Sequence, residues 1–299
     1  MKLGFFPGCS LEGSSREYKE SLQAIAPALG LELAEVPDWN CCGASAAHSL
    51  NHKLALALPA RILALAERAG FDELLVPCSA CYSRLAITRQ SLMENEALRQ
   101  EITNIIELDY VGSTKVVNAL DVLVRCAADG LKDKVRQPFA HKVACYYGCY
   151  LVRPERISSC KRIEDPQEMD EVMKAVGAEP IDWAFKVECC GAGLSVSRTD
   201  SVAELSGRIV EDAAHRGAEA IIVACPMCHT NLDLRRDAIQ QKCGTQYTIP
   251  VLYLSQAIGL ALGLGEKELG LHRHHVPVRL PCGPGVSCGP GVSPVKGAS

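Results

Sequence analysis

The stretch KLGFFPGC at residues 2–9 returns as KVACYYGC at residues 142–149, and two further stretches recur in the same order. WNCCGA at 39–44 is matched by VECCGA at 187–192, and ELLVPCSAC at 73–81 by AIIVACPMC at 220–228. The spacing is kept as well, because 36 positions separate Cys42 from Cys78 and 35 separate Cys190 from Cys225. The chain is therefore an internal duplication.

Short apolar runs alternate with helical stretches in both copies, which is typical of βαβ units and a mainly parallel sheet. Residues 51–68 and 202–216 are predicted helices that end before a glycine, and the apolar runs 74–76 and 221–223 are predicted buried strands. The predicted fold class is α/β. It has two related, Rossmann-like halves, each a small mainly parallel sheet flanked by helices, with the functional sites at the carboxyl ends of the strands.

The polar segment 127–141, with Gly130 and Pro138, is the predicted boundary between the halves. We therefore expect a first cysteine-rich domain at 1–130, a second at 141–270 and a flexible tail at 271–299. The tail contains Gly-Pro-Gly at 283–285 and again at 289–291, and such a composition does not build a core.

The bulk composition excludes several classes of protein. The 299 residues are 48% hydrophobic, and the formal net charge is only -4, with no block of like charges that would favour nucleic acid or a membrane surface as partner. The apolar runs 54–66 and 251–264 are both interrupted by Pro or polar residues, so no membrane span is predicted. The first residues lack the pattern of a secretion signal, and we expect a cytoplasmic protein.

Sixteen cysteines are too many for chance core residues in a protein of this kind. A disulfide framework is not expected in the cytoplasm, nor in a chain long enough to bury a core of its own. The cysteines are therefore expected to serve metal or redox chemistry. Free core cysteines would also have no reason to recur in one order at matched spacing.

The repeated cysteines lie where a predicted strand gives way to the next helix. Ligands of open α/β sheets bind at this edge, and helix N-termini supply the positive field that several thiolates need. Gly43 and Gly191 are expected to let the backbone turn close to a metal.

Each half offers five thiolates, whereas structural zinc and an ordinary cubane cluster each take four. The residues alone are therefore compatible with either an iron-sulfur cluster or a zinc ion in each half. In both cases one of the five thiolates is not needed as a ligand. The candidate ligands are Cys9, Cys41, Cys42, Cys78 and Cys81 in the first half, and Cys149, Cys189, Cys190, Cys225 and Cys228 in the second.

The double pattern Cys…Cys-Cys-Gly…Cys-x-x-Cys resembles the tandem CCG cysteine-rich domain family, to which the B subunit of heterodisulfide reductase belongs. The resemblance covers nearly the whole chain. It implies that each half holds a non-cubane 4Fe-4S cluster through all five of its cysteines, so that all ten candidates are ligands. It also implies that the two halves face each other with the clusters between them.

The same resemblance implies a reaction in which two clusters face one small disulfide and reduce or form its S-S bond, with the chemistry at the clusters rather than at a catalytic side chain. It further implies two partners in the same complex, one ferredoxin-like subunit and one flavin-containing subunit. The chain itself shows no G-x-G-x-x-G fingerprint and no ferredoxin-type cysteine run, so its electrons are expected to come from partners.

Two other functions stay open at this point. The chain could be an electron relay of a dehydrogenase or sulfur-oxidation complex with no substrate of its own. It could also be a scaffold that holds zinc in one or both halves, since the halves differ in loop length: Cys9 to Cys41 spans 32 positions and Cys149 to Cys189 spans 40.

The remaining candidates have plainer interpretations. His229 could protonate a leaving thiolate, but a capping or core role is favoured. Four cations could bind an anionic substrate or balance cluster charge, although a solvated surface is favoured for each: Arg84, Arg153, Lys161 and Arg162. Six cysteines lie outside the candidate sets. Cys282 and Cys288 belong to the predicted tail, and the other four are expected to be packing residues: Cys126, Cys145, Cys160 and Cys243.

Overall fold

The structure, a computed structural model, describes residues 1–44, 47–244 and 246–281. In the first half, four parallel strands lie in the order β2-β1-β3-β4. The strands are β1 (Lys2–Phe5), β2 (Glu32–Glu35), β3 (Glu73–Leu75) and β4 (Lys115–Val117). The helices are α1 (Gly8–Glu12), α2 (Arg16–Ile25), α3 (Ala47–Leu50), α4 (His52–Arg68), α5 (Ser79–Glu94), α6 (Glu96–Ile106), α7 (Ala119–Ala128) and α8 (Leu131–Lys134).

The second half repeats this sheet in the equivalent order, β6-β5-β7-β8, again with all strands parallel. The strands are β5 (Lys142–Tyr146), β6 (Glu179–Pro180), β7 (Ala220–Val223) and β8 (Val251–Tyr253). The helices are α9 (Glu168–Ala175), α10 (Thr199–His215), α11 (Pro226–His229), α12 (Arg236–Cys243) and α13 (Leu254–Ala261), and a π-helical turn (Thr230–Leu234) follows α11. The predicted α/β fold with two related halves is confirmed.

The strand register is the same in both halves. Phe5 of β1 pairs with Leu75 of β3, and Cys145 of β5 pairs with Ile222 of β7. Phe5 and Cys145 each stand four positions before the cysteine of the Gly-Cys motif. Leu75 and Ile222 each stand three positions before the Cys-x-x-Cys motif. This register brings the two motifs to the same edge of each sheet.

The predicted helices are confirmed with small shifts of their ends. Residues 52–68 form α4, and the Asn51 side chain caps it by accepting a hydrogen bond from the Leu54 amide at 3.1 Å. Residues 199–215 form α10, so this helix begins three residues before its predicted start.

The two halves share a hydrophobic core cluster, and the first half has a second cluster of its own. The Tyr18 ring on α2 stacks on the Tyr253 ring, with ring centroids 4.0 Å apart, and the Ser21 and Ser255 hydroxyls lie 2.7 Å apart. The Tyr18 hydroxyl donates to the Ala224 carbonyl at 3.2 Å. Because these groups are buried, α2 and α13 hold the halves together through packing and satisfied hydrogen bonds.

The predicted boundary segment, 127–141, and the start of the predicted tail both contact the folded halves. The amides of Arg136 and Gln137 donate to the Ala261 carbonyl at 2.9 and 3.0 Å, so the boundary segment lies on the second half. Leu271 and Val276 are buried. The amides of His275 and Val276 donate to Asp233 of the second half, and Arg273 pairs with Glu20 of the first. The rest of the assigned tail, 282–299, lies outside the described residues, and the domain limits stay a prediction.

Among the helices of the described part, none has both the length and the apolar character that crossing a bilayer requires.

Candidate metal centres

The first half gathers its five cysteines at the carboxyl ends of β1, β2 and β3. Cys9 lies in α1, just after β1, and Cys41 and Cys42 lie in the loop that follows β2. Cys78 precedes α5, and Cys81 lies in its first turn. The βαβ connections bring parallel strands to end at one edge, which explains why residues up to 72 positions apart, from Cys9 to Cys81, meet there.

The second half places its five cysteines in the equivalent positions. Cys149 follows β5, Cys189 and Cys190 follow the connection after β6, and Cys225 and Cys228 flank the start of α11 after β7. The structure therefore brings together all ten cysteines that the sequence predicted, in two sets of five. The first set is Cys9, Cys41, Cys42, Cys78 and Cys81; the second set is Cys149, Cys189, Cys190, Cys225 and Cys228.

The sulfur atoms within each set are close enough to share a metal. Cys149 Sγ lies 3.8 Å from Cys189 Sγ, and Cys190 Sγ lies 3.7 Å from Cys228 Sγ. Two sulfurs on one tetrahedral metal with bonds of about 2.3 Å stand roughly 3.8 Å apart. In the first set, Cys42 Sγ and Cys81 Sγ are 3.0 Å apart. None of the cysteines in the described ranges forms a disulfide.

The thiols of each set share protons with neighbouring thiolates. A hydrogen bond from Cys149 lowers the pKa of Cys189 to about 6, while the same bond and then burial raise the pKa of Cys149. A hydrogen bond from Cys228 likewise lowers the pKa of Cys225 to about 6. Five adjacent thiols do not all ionise without a cation, so a metal that replaces these protons fits both sets.

The same competition occurs in the first set. A hydrogen bond from Cys81 lowers the pKa of Cys42 to about 7, and burial, followed by the charge of Cys41, raises the pKa of Cys9 to about 11.

Backbone geometry at the glycines shapes both sets. Gly43 and Gly191 have positive φ angles of 72° and 80°, and their amides donate to the sulfurs of Cys41 and Cys189 at 3.4 and 3.3 Å. These two glycines turn the chain, as the sequence predicted, and the structure adds that each directs its N–H group at a candidate ligand.

Each set has a buried side and an accessible side. Cys42, Cys78 and Cys81 are buried in the first half, and their counterparts Cys190, Cys225 and Cys228 are buried in the second. In contrast, three cysteines are exposed and Cys149 is partly exposed; the exposed ones are Cys9, Cys41 and Cys189. A group bound in either set could therefore be reached from solvent or from a partner.

The two sets approach each other through the shared core. The buried Ser79 hydroxyl of the first half faces Cys225 of the second set, and the buried Tyr18 hydroxyl lies under the electrostatic influence of both Cys225 and Cys78. The Ser79 hydroxyl has no hydrogen-bond partner within the described part of the chain. Tyr18 and Ser79 of the first half thus lie near Cys225 of the second set.

A third polar group, which the sequence did not single out as a unit, lies behind Cys228. Ligand atoms of His229, Asp233 and His274 all lie within 4.8 Å of one another, and all three residues are buried. His229 Nε2 lies 3.1 Å from the Val251 carbonyl, and Asp233 accepts from the backbone amides of residues 275 and 276. These bonds favour a satisfied core network, in agreement with the core role predicted for His229.

Of the four cations considered, two form surface ion pairs, Arg153 with Glu164 and Arg162 with Asp165. Arg84 differs, because it is half-buried and its charge acts on Cys42 of the first set. Of the cysteines outside the sets in the described ranges, Cys126, Cys145 and Cys160 are buried, and Cys243 is exposed on α12.

Two parallel sheets, each with five cysteines at its strand ends, define a duplicated metal-binding protein of the α/β class. The chain belongs to the cysteine-rich domain family CCG, which matches residues 3–86 and 143–233. The resemblance to the B subunit of heterodisulfide reductase is confirmed by this match and by the relatives.

Two relatives cover almost the whole chain. The 8-methylmenaquinol:fumarate reductase membrane anchor subunit of Wolinella succinogenes is 34% identical over 277 residues, which is 91% of this chain and 96% of the relative. The B subunit of the ferredoxin/F(420)H(2)-dependent CoB-CoM heterodisulfide reductase of Methanosarcina acetivorans is 32% identical over 283 residues, or 92% and 94% of the two chains.

Among solved structures, a hypothetical protein from Helicobacter pylori is similar, with a TM-score of 0.75 and 15% identity. The alignment covers 93% of this chain but 52% of the other, so this chain spans about half of that structure. At this identity the likeness shows the fold alone.

Proposed function

We propose that this chain is the catalytic iron-sulfur subunit of a heterodisulfide reductase-like complex, an oxidoreductase that reduces, or forms, a small disulfide at two non-cubane 4Fe-4S clusters. The observation that carries the proposal is the gathering of five cysteines, rather than four, in each half. The proposed cluster ligands are the ten cysteines of the two sets.

The donor set fits this kind of group. A tetrahedral zinc site or a cubane cluster would use four thiolates and leave the fifth apart. Burial raises the pKa of Cys9, and the nearby thiols of Cys41, Cys42 and Cys78 raise it further, so the first cysteine of the motif lies with the others. The amides of Gly43 and Gly191 add hydrogen bonds that stabilise negative sulfur.

When bound, each cluster supplies one electron, and two electrons with two protons turn one disulfide into two thiols. The chain contributes the surroundings of that step. Its buried cysteines close the inner side of each set to water, while Cys9, Cys41 and Cys189 leave the outer side open to a disulfide. Duplication thus provides one site for each sulfur of the bond.

The electrons are proposed to come from two partners of the same complex, one ferredoxin-like subunit and one flavin-containing subunit. Relatives named as subunits of heterodisulfide reductase complexes support the existence of partner subunits. The cytoplasmic location stays a prediction, since one relative is named as a membrane anchor subunit.

That relative favours a second candidate function. The Wolinella protein is named as a subunit of an 8-methylmenaquinol:fumarate reductase, and neither substrate in that name is a disulfide. The second candidate is therefore an electron relay, in which both sets carry clusters but no substrate contacts them.

The first experiment is metal analysis of the protein purified without air. Two clusters require about eight irons and as many sulfides per chain, with no zinc. Cys81→Ala and Cys228→Ala should each lose about half of the iron, whereas Cys243→Ser, a matched change outside both sets, should keep all of it. About four irons with one zinc in the wild type would remove the two-cluster mechanism.

A second experiment separates catalysis from relay. The reduced protein is mixed with an excess of a small disulfide, and the paramagnetic spectrum and the released thiols are measured together. Catalysis predicts oxidation of the clusters and two thiols for every two electrons lost. An unchanged spectrum and no thiol would favour the relay.

A further inference from the structure

The internal duplication allows the free edges of the two sheets to be compared. β4 and β8 are equivalent outermost strands, and each has a neighbouring strand on one side only. Val116 of β4 is in register with Leu74, and Val251 of β8 is in register with Ile221. Leu74 and Ile221 each stand four positions before the Cys-x-x-Cys motif, so Val116 and Val251 are equivalent residues.

The backbone of Val116 points to the free edge of the first sheet. The Lys115 amide donates to the Asp72 carbonyl, and the Val76 amide donates to the Val117 carbonyl, both at 2.8 Å. Lys115 and Val117 therefore face β3. Val116 lies between them, so its N–H and C=O groups face away from β3, where a further strand could pair with them.

The equivalent edge of the second sheet is covered. The Ile221 amide donates to the Pro250 carbonyl at 2.9 Å, so Val251, the next residue of β8, faces away from β7. Val251 is fully buried, and its carbonyl lies 3.1 Å from His229 Nε2. The His274 ring packs edge-on against the His229 ring, with centroids 4.7 Å apart. Both histidines therefore cover the position where a further strand would pair.

The covering segment of the second half is held by one buried side chain. The Asp233 carboxylate accepts from the amides of His275 and Val276 at 2.7 and 3.1 Å. His274, at the start of the segment, has an extended backbone with a φ of -68° and a ψ of 140°. A short extended segment of the same chain thus covers the edge of the second sheet.

The first half lacks the side chains that hold such a segment. Counted from the last cysteine of the motif, His229 corresponds to Tyr82 and Asp233 corresponds to Ala86. The Tyr82 hydroxyl donates to the Ile157 carbonyl at 2.6 Å. The methyl group of Ala86 accepts no hydrogen bond, so it cannot hold backbone amides as Asp233 does.

A cavity of about 470 Å³ lies at this place in the first half. The counterparts of the three second-half residues all line it: Tyr82, Ala86 and Val116. In the part of the chain that the structure describes, the Val116 carbonyl accepts no hydrogen bond. The cavity therefore occupies the position that residues 274–276 fill in the second half.

The charges around the cavity favour an acidic occupant. Its lining contains three cations, Arg89, Lys115 and Arg156, and one acid, Glu94. The guanidinium of Arg89 is fixed by two backbone carbonyls at 2.9 Å, while Lys115 and Arg156 are exposed. Complementary charge attracts a partner and orients it. Residues 282–299 of this chain contain no Asp or Glu, so an acidic occupant belongs to another polypeptide.

We propose that the cavity beside Val116 binds an extended, acidic segment of a partner polypeptide, which adds to the free edge of β4 as a further strand. An amide of the segment donates to the Val116 carbonyl, and carboxylates of the segment face Lys115 and Arg156. In such strand addition the backbone hydrogen bonds give affinity, and the side chains give specificity. The inference goes beyond the proposed function and does not depend on the metal content of the two sets.

The test uses the full chain, purified without air, and the fluorescein-labelled peptide Asp-Val-Glu-Val-Asp. Fluorescence anisotropy should show saturable binding with a Kd below about 1 mM. Two control peptides should not bind: Lys-Val-Lys-Val-Lys reverses the charge, and the acidic peptide with N-methylated amides keeps the charge but cannot donate hydrogen bonds. Hydrogen exchange at the Val116 amide should slow when the acidic peptide binds.

Charge-reversal variants locate the site. Arg156→Glu and Lys115→Glu should each weaken binding of the acidic peptide about tenfold or more, because like charges then face each other. Lys132→Glu, an equal change on α8 outside the cavity lining, should leave the affinity unchanged.

Three results would overturn the inference: no binding below about 1 mM, equal binding of the N-methylated peptide, or an unchanged exchange rate at the Val116 amide. The third result would mean that Lys115 guards this edge against pairing. If a charge-reversal variant does not fold, the three peptides on the wild-type protein decide alone.

Discussion

Gly148→Ala tests how the first and last cysteines of the second set come together. Gly148 precedes Cys149 and has a φ of 66°, and a Cβ added there would lie 2.9 Å from Cys228 Sγ. Ordinary contact begins at 3.4 Å, so the Cys228 sulfur must move by about 0.5 Å (3.4 minus 2.9). Displacements of about this size loosen a preorganised metal site. Alanine at positive φ adds roughly 1–2 kcal/mol of backbone strain.

Two glycines provide controls for this variant. A Cβ at Gly8, the equivalent position in the first half, would lie 3.4 Å from Cys81 Sγ, and a Cβ at Gly217, with a φ of 76°, would meet nothing within 4 Å. All three variants should lose about 1–2 kcal/mol in urea unfolding. Only Gly148→Ala should also lose about half of the bound iron. Full iron in Gly148→Ala, or equal loss in Gly8→Ala, would refute the reasoning.

Three further predictions concern the buried polar groups. Tyr18→Phe removes a hydroxyl hydrogen bond between the halves and should cost about 1 kcal/mol in urea unfolding, with iron retained. Lys186→Met leaves the buried Asp170 carboxylate without its cationic partner at 2.9 Å, although the Tyr147 hydroxyl still donates to it. The change should cost about 3–5 kcal/mol, and adding Asp170→Leu should recover part of that loss. Burial raises the pKa of Glu17 from its usual 4.5 to about 7, so the folded state holds this proton more tightly and stability falls as pH rises through this window. Glu17→Gln should therefore be more stable than the wild type above pH 7 and gain little near pH 4.5, as measured by unfolding at both pH values; an equal gain at both would contradict the assignment.

The sequence identified the important cysteines because the two halves of a duplicated chain can be compared with each other. Gly-Cys, Cys-Cys-Gly and Cys-x-x-Cys recur in order, and each follows a run of residues typical of a buried strand. Parallel strands end at one edge of the sheet, so the five positions of each half had to meet there. The structure brings these ten cysteines together in two sets, and their role as cluster ligands stays a proposal.

Residues outside the repeated motifs were harder to place. Composition assigned residues 271–276 to a tail, yet Leu271 and Val276 are buried, and Asp233 accepts hydrogen bonds from the amides of His275 and Val276 at 2.7 and 3.1 Å. A Gly- and Pro-rich neighbourhood lowers the average hydrophobicity of a segment. The average composition of a segment does not show which of its apolar side chains are buried in the core.

By itself, the sequence determined the duplication, the α/β class, the alternation of strands and helices and the ten candidate cysteines, because short-range periodicity and repeated motifs encode local structure directly. Only the tertiary structure decided how the halves meet: Tyr18 stacks on Tyr253, 235 positions away, and Ser79 faces Cys225. It also singled out Arg84 from four similar cations. Contacts between distant elements depend on how whole surfaces pack, and no local pattern in one sequence records that packing.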